Sequence, residues 1–516
     1  MLFCRAILRQ QGAVRHSLPI HRNFAIESYY RSKRFRAGCV TAFSPAFAST
    51  LVSTVKQDTI FALSTAPGKA GVAVVRISGN NATEAVQRMT HMKSLPAPRR
   101  AMLKKIYDPE SNELLDNAIV LWFPGPHSYT GEDTVEFHIH GGNAVTRSVL
   151  EALDKLNQFR IAERGEFSRR AFDNDKLDLT ELEGLADLLN AETEMQRKIA
   201  LRQADGSLRH QYENWRKQLI KCMALTEAVI DFGEDENIED NVLVDVRNIV
   251  ELLRESIKAH LNDNRVGEIL RDGIHITISG PPNAGKSSFL NLLARREAAI
   301  VSDIPGTTRD VVEVSLNLGG YPVVISDTAG IRASTDTIEM EGVKRAKAKI
   351  LSADMHICLL PLTEVNMYLY EDDHALLTES ITPDTILIIN KSDIDNSSST
   401  NTIAALSKKL GVRDTWLISC RTGQGIDTAL IALNNLLKQR YESTANSSAL
   451  ITHSRHRSNL NVCLAALDLA AEYSQTDIVL AAEELRQAAA ALGRITGKVD
   501  VEQILDLLFS EFCIGK

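Results

Sequence analysis

The chain has 516 residues, 44% of them hydrophobic and 24% charged, with a net charge of −8. That length suits about three or four domains with buried cores. It contains no apolar run of eighteen or more residues, which excludes a membrane-spanning helix. Its seven cysteines (Cys4, Cys39, Cys222, Cys358, Cys420, Cys463 and Cys513) are odd in number and lack CxxC spacing, which argues against a disulfide framework or a zinc site and suits a reducing compartment.

Residues 1–56 read as a leader. Its first fifty residues carry eight bases (Arg5, Arg9, Arg15, Arg22, Arg31, Lys33, Arg34 and Arg36) against one acid, Glu27. Arg-rich, Ser-bearing and acid-poor is the composition of a mitochondrial transit peptide, so the matrix is the expected location. Without those residues the net charge moves from −8 to −15, and such an acidic body excludes broad, nonspecific nucleic-acid binding. Any RNA contact must be local or shared with a partner.

Residues 57–177 read as a mixed α/β domain. Gly71–Ile77 and Ala118–Phe123 are strand-like, and Thr134–His140 alternates with period two. Residues 178–271 turn glycine-poor and rich in Ala, Leu, Glu and Arg, which predicts helices. Residues 272–444 alternate strand and helix as a parallel doubly wound sheet requires, with a hairpin from Val311 to Asp327 turning at Gly319-Gly320. Glu442–Ser448 has linker composition, and residues 445–516 return to helical composition. The fold class is therefore multidomain α/β plus all-α, with the 272–444 domain inserted into one discontinuous helical domain.

The inserted segment carries the chemistry. Gly280-Pro-Pro-Asn-Ala-Gly-Lys-Ser287 follows an apolar strand and opens a helix, so the backbone N–H groups of Asn283, Ala284, Gly285, Lys286, Ser287 and Ser288 can converge on phosphate. Lys286 would reach the terminal phosphates, and the Ser287 hydroxyl would hold Mg²⁺. Downstream, Asn390-Lys391-Ser392-Asp393 names the base. A carboxylate at Asp393 accepts from the guanine ring N–H and its exocyclic amine together, a donor pair that adenine lacks. Asn390 and Lys391 would brace the loop and cover the base.

Between them, Ser302, Asp303, Ile304, Pro305, Gly306, Thr307 and Thr308 supply a threonine for Mg²⁺ and the γ-phosphate, assigned to Thr308. Asp327, Thr328, Ala329 and Gly330 place a carboxylate for the metal and a glycine N–H at the γ-phosphate. Ser419, Cys420 and Arg421 would meet guanine through their backbone. The set binds GTP. Ile331 stands where many signalling GTPases have a water-orienting glutamine, so water positioning and charge neutralisation must come from elsewhere.

Three constellations lie outside that segment. Ser128–Asp133 with Glu136, His138 and His140 gathers carboxylates and imidazoles between strands. A metal there would need a further ligand that the sequence leaves unplaced, and a solvated strand face explains the same pattern. Arg164–Phe172, running to Lys176–Leu179, reads as a structured loop entering a helix or simply as a capped helix start. The tail Phe509–Lys516 ends on apolar residues where frayed termini are polar, so it is expected to insert into a pocket. Cys513 is read either as a nucleophile or as buried packing, and Lys516 is wrong for a prenylation signal.

Together these residues resemble the tRNA modification GTPase family called MnmE or TrmE, in a fungal or other eukaryotic mitochondrial branch. The resemblance covers nearly everything after residue 56 and rests on Asp58-Thr-Ile, Arg76-Ile-Ser-Gly79, Phe123–Asp133, His140-Gly-Gly142, Gly165-Glu-Phe167, Arg170-Ala-Phe172, Lys176–Leu179, Arg455-His456, Leu492-Gly493, Thr496-Gly497 and the Phe-Cys-Ile-Gly-Lys tail. It implies a Ras-like P-loop GTPase domain and an N-terminal α+β domain like a folate-binding one. That domain would mediate homodimerisation and hold 5-formyl- or methylene-tetrahydrofolate through Arg76, Glu136, Lys176 and Lys516. It also implies an FAD-dependent partner of the GidA (MnmG) type, mitochondrial tRNA as substrate, and modification of C5 of the wobble uridine by a carboxymethylaminomethyl- or taurinomethyl-type group. Cys513 matches a cysteine suspected of a role in that chemistry. A potassium ion would stand in for an arginine finger, held at Asn283, Ser302, Ile304 and Thr307, while Glu339 matches the carboxylate that orients the water indirectly.

The chain departs from the family pattern at Pro281, Arg164, Ser302, Cys420 and Pro361. Arg164 bears on the folate-site loop, and none of the others removes an identifiable ligand atom. Two rival functions are an Era-like ribosome-assembly GTPase, which usually carries a basic RNA-binding appendage, and a free-standing folate enzyme with a regulatory GTPase.

Overall fold

A computed structural model of the chain describes residues 58–232, 241–296, 313–327, 348–370, 380–394, 400–445 and 449–499, with residues 505, 508, 509, 512 and 515. Six strands near the N-terminus, β1 (Thr59–Leu63), β2 (Ala70–Ser78), β3 (Met102–Tyr107), β4 (Leu114–Phe123), β5 (Thr134–Gly141) and β6 (Phe159–Ile161), form one sheet in the order β3-β4-β5-β2-β1-β6. Every pairing is antiparallel except β1 with β6.

Period two decides what each face does. Val75 and Ile77 of β2 and Val135, Phe137 and Ile139 of β5 bury against the helices Ala82–Thr90 and Asn143–Asp154. The opposite face carries Arg76, directly across from Glu136 on β5 and Ala62 on β1. There Ile60 and Ala62 pack on Phe167 of the helix Glu166–Asp173.

A second sheet holds β7 (Ile274–Ser279), β8 (Glu313–Leu318), β9 (Tyr321–Asp327), β10 (Met355–Pro361), β11 (Ile386–Asn390) and β12 (Asp414–Leu417), in the order β12-β11-β10-β7-β9-β8. Five strands run parallel, and β8 closes the edge as the antiparallel half of the hairpin turning at Gly319-Gly320. Both β10 and β11 are buried along their whole length, and so are largely apolar, with His356 and Asn390 as buried polar exceptions. The phosphate loop follows β7, Lys391–Asp393 follow β11 and Ser419–Arg421 lie just past β12. All three therefore sit at the carboxyl edge, where open α/β sheets bind ligands.

In sequence this sheet lies between two pairs of helices that share one core. Ser207–Phe232 and Asn241–Leu261 pack with Ser454–Tyr473 and Ile478–Thr496 around Tyr212, Trp215, Leu253, Leu460, Leu485 and Leu492. The nucleotide-sheet core in turn extends to Ile199, Val266 and Leu270 on helices that precede β7. The expected linker 442–448 needs correction: the helix Ile426–Ala445 runs into it, with Tyr441 and Ala445 buried. Its Ser/Thr content misled because apolar residues at helical spacing outweigh intrinsic propensity once they have a core to meet. Among the described residues no helix is long and apolar enough to cross a membrane.

Candidate functional site

Asn390 organises the nucleotide loops. Its Nδ2 donates to Ala284 O at 2.8 Å, and its Oδ1 accepts from Cys420 N at 3.0 Å. One carboxamide thus ties the phosphate loop, the base-reading loop and the loop after β12 together. The phosphate loop must pass close to its neighbours to allow this. A Cβ on Gly280 would collide with Leu359 O and one on Gly285 with Asn390 Nδ2, and both glycines hold positive φ. Asn283 adopts the left-handed region with φ 61°, which asparagine tolerates better than most residues.

Lys286 is buried, its Nζ donating to Gly280 O at 2.8 Å and Pro281 O at 2.9 Å. The ammonium therefore sits inside the curve of its own loop. Asp393 accepts from Ser419 Oγ at 2.6 Å, and that hydroxyl holds its carboxyl below the usual carboxylate range. An ionised, positioned acceptor is what a guanine ring needs. Ser419 N donates to Gln424 O, and Ser419 Oγ accepts from Thr422 N at 3.2 Å, so the loop presenting Asp393 is itself hydrogen-bonded.

Beneath the phosphate loop, Ser279 Oγ lies 2.7 Å from His356 Nε2, whose ring reaches Thr385 Oγ1 at 3.2 Å. Burial lowers the His356 pKa to about 4, so this ring stays neutral at physiological pH and links three neighbouring segments. No spacing in the sequence marks it, because the three residues meet only across the sheet.

The second constellation lies on the open face of the first sheet. Arg76 donates to Glu136 Oε1 at 3.1 Å and sits 5.0 Å from the centroid of the Tyr129 ring. Glu136 also pairs with His138 at 3.2 Å. Burial opposes its ionisation, but the His138 hydrogen bond and the Arg76 charge prevail and hold its carboxyl below the ordinary value. Lys176 comes near this face: a Cβ on Gly131 would stand 3.3 Å from its Cε. Around them Arg170 pairs with Glu132 and Glu166 at 3.1 Å each.

His140 does not join the group. It bonds Asp116 Oδ1 at 2.7 Å on β4 and is exposed, and among the described residues no cluster of His, Cys, Asp and Glu is arranged to hold a metal ion.

The tail approaches this same domain. Ser64 Oγ donates to Gly515 O at 2.9 Å, Gly165 leaves room for Phe509, and Phe512 is buried with Leu179, Leu182 and Leu505. Ser64, Tyr129 and Gly165 are the contributors that sequence reasoning gave no role of their own. Of the expected site residues, 302–308 and 328–330, Glu339, Cys513 and Lys516 lie outside the described residues, as does the side chain of Asp327, whose backbone ends β9.

Comparison with known proteins found matching family models and relatives. The model described as "MnmE helical domain" matches residues 179–513, and that of the "GTP-binding protein TrmE N-terminus" matches residues 59–176. The chain is 49% identical over 469 residues to the mitochondrial 5-taurinomethyluridine tRNA synthase subunit GTPB3 of Danio rerio, covering 89% of this chain and 93% of that protein. Its human counterpart is 45% identical, with the same coverage of both chains. The tRNA modification GTPase MnmE of Parvibaculum lavamentivorans is 48% identical over 89% of this chain and 100% of its own length.

Proposed function

Because the chain belongs to the MnmE/TrmE family of tRNA modification GTPases, we propose that it is the GTP-hydrolysing subunit of a mitochondrial complex that modifies C5 of the tRNA wobble uridine. The observation that carries this reading is the Asn390 clasp, which sets an ionised Asp393 beside a phosphate loop whose lysine is already drawn inward.

Hydrolysis adds water to the γ-phosphorus and breaks its bond to the β–γ bridging oxygen, giving GDP and phosphate. The phosphate-loop N–H groups and Lys286 bind the charge that spreads over the phosphoryl oxygens. Asn390 keeps the loops in register, and Asp393 selects guanine. Mg²⁺ would be held by Ser287 and Thr308, and K⁺ by Asn283, Ser302, Ile304 and Thr307. Those oxygen-bearing residues suit hard cations, which supply charge neutralisation at the phosphates. Glu339 orients the attacking water indirectly.

The open face of the first sheet takes a tetrahydrofolate one-carbon donor. Glu136, kept ionised, accepts from the N–H donors of a pterin. Arg76 lies 5.0 Å from the Tyr129 ring centroid and 5.9 Å from that of Phe167, and Lys176 and Lys516 would meet the folate carboxylates. A homodimer through this domain, an FAD-dependent partner of the GidA (MnmG) type and Cys513 as a participant complete the proposal. Glycine or taurine supplies the amine. The ribosome-assembly reading is disfavoured by an acidic body that offers RNA no broad cationic surface.

The deciding experiment is mass spectrometry of wobble nucleosides from mitochondrial tRNA with and without the protein. Loss of the C5 group, restored by the intact chain, is the expected outcome. Unchanged nucleosides alongside defective ribosome assembly would transfer the function to the rival. In purified protein, Glu339→Ala should keep GTP affinity and lose most of its turnover.

A further inference from the structure

The open face of the first sheet extends past the residues assigned to folate. On β3, Leu103 and Lys105 alternate with Ile106, which is buried on the helix side, so both belong to the face that carries Arg76 and Glu136. β3 is the edge strand and stands two strand spacings, about 10 Å, from β5.

From His91 to Tyr107 the chain holds five bases, Lys93, Arg99, Arg100, Lys104 and Lys105, and no acid. In so acidic a body that run stands apart. All five except the half-buried Lys104 are exposed, and among the described residues none of them forms an ion pair.

A bend sets the two arginines beside the site. Arg100 N donates to Ala97 O at 3.2 Å, and Arg99 turns the chain at φ 57°, a left-handed conformation that disfavours a long side chain. Two hydrogen bonds hold it there. Arg99 N donates to Trp122 O at 2.8 Å and its Nη2 to His127 O at 2.5 Å. His127 is two residues from Tyr129, whose ring lies beside Arg76. The same loop folds back so tightly that a Cβ on Gly125 would stand 2.8 Å from Gly131 O, and Lys176 approaches it at Gly131. Lys176 and Arg99 therefore meet one short loop. Its own carboxylates are engaged elsewhere: Glu132 pairs with Arg170, and Asp133 accepts from Gly125 N at 2.9 Å.

The basic run ends abruptly, since Asp108, Glu110 and Glu113 follow Tyr107. A long polyanion such as RNA would pass from the bases onto those acids, whereas a short chain of carboxylates would not. Folate supplies such a chain. It ends in a glutamate whose γ-carboxyl can carry further γ-linked glutamates, each adding one carboxylate.

We infer that the ligand of this face is a folate polyglutamate, its first glutamate near Lys176 and its later carboxylates on Arg99, Arg100 and Lys105. The inference rests on the folate reading of the site. Guanidinium groups match carboxylates in shape and charge. Each exposed pair is weak by itself, so the affinity comes from their number.

The test is isothermal titration of the full chain with 5-formyltetrahydrofolate as its monoglutamate and as its pentaglutamate. The pentaglutamate should bind about tenfold or more tightly at low salt. The gap should narrow as salt rises, because exposed charges are screened over about 10 Å at 0.1 M. Arg100→Ala with Lys105→Ala removes two bases that hold nothing else in place. That double variant should bring the pentaglutamate close to the monoglutamate, whose own affinity stays. Arg99 is kept because it braces the loop.

Equal affinity of the two ligands in the parent would overturn the tail site and leave the folate reading standing. A double variant that keeps the gap, or that weakens both ligands alike, would also overturn it. If the double variant loses tRNA affinity while the folate gap persists, the run is an RNA contact and the inference falls. Binding of neither ligand removes the folate site and its extension together. Wobble nucleosides unchanged without the protein would remove the proposed function but not the measured difference between the two ligands.

Discussion

In the proposed function, single side chains carry the selectivity. Asp393 is exposed, held by one hydroxyl and ionised. Asp393→Asn replaces an acceptor by a group that also presents donors to guanine's own N–H groups, so GTP affinity should fall by roughly tenfold or more. Competition against a fluescent-labelled GDP analogue on otherwise folded protein checks this, and unchanged affinity would remove Asp393 from the site. Asp178 makes the opposite point, since its charge works against the fold. Burial pushes its pKa up to about 6 from 3.8. An acid whose folded pKa is raised takes up protons on folding, so stability falls as pH rises through that window. The cost above pH 6 is at most about 3 kcal/mol. Asp178→Asn keeps a capping acceptor, so its melting temperature should exceed that of the parent at pH 7.5, and the difference should close near pH 4. Scanning calorimetry at both values decides it.

Elements show how much depends on close approach. The phosphate loop works because Gly280 lets the backbone pass under Leu359 O. Gly280→Ala should therefore abolish measurable GTP binding while circular dichroism shows the helix and sheet content kept. The tail obeys packing instead. Phe512 is buried beside Phe509, their ring centroids 6.3 Å apart. Phe512→Ala should remove about 3–5 kcal/mol from this attachment. Hydrogen exchange at Gly515 and its neighbours should then quicken while the two sheets keep their protection.

At the scale of the molecule, one buried ion pair joins the chain's distant halves. Glu183 Oε1 accepts from Arg455 Nε at 3.0 Å and Nη2 at 2.9 Å, and its Oε2 meets His456 Nε2 at 2.7 Å. Arg455 also donates to Arg494 O and Ile495 O, closing the end of the helix Ile478–Thr496. Burial opposes the Glu183 charge, yet the His456 and Arg455 partners hold its pKa near 2. Glu183→Gln leaves Arg455 without its counter-charge and should cost about 3–5 kcal/mol. Thermal melting should show that loss, and GTP affinity should not, because the nucleotide loops hang on a separate core.

The sequence by itself determined the GTP chemistry. Gly280–Ser287, Asn390–Asp393 and Ser419–Arg421 are contiguous words whose meaning comes from backbone N–H groups and local side chains. The strands were legible for the same reason, since alternation in residues 134–140 and the apolar runs at 357–360 in β10 and 386–389 in β11 are properties of the chain itself. The sequence did not show that His140 leaves Glu136 for Asp116, nor that the helix through Tyr441 absorbs its Ser/Thr-rich end. Each depends on a neighbour across the sheet or in a core, not on adjacent residues. Only the tertiary structure brought Ser64 to Gly515 and Glu183 to His456. Their separations along the chain are long, and burial with or without a partner, which gives a polar atom its energy, exists only once the chain has closed on itself.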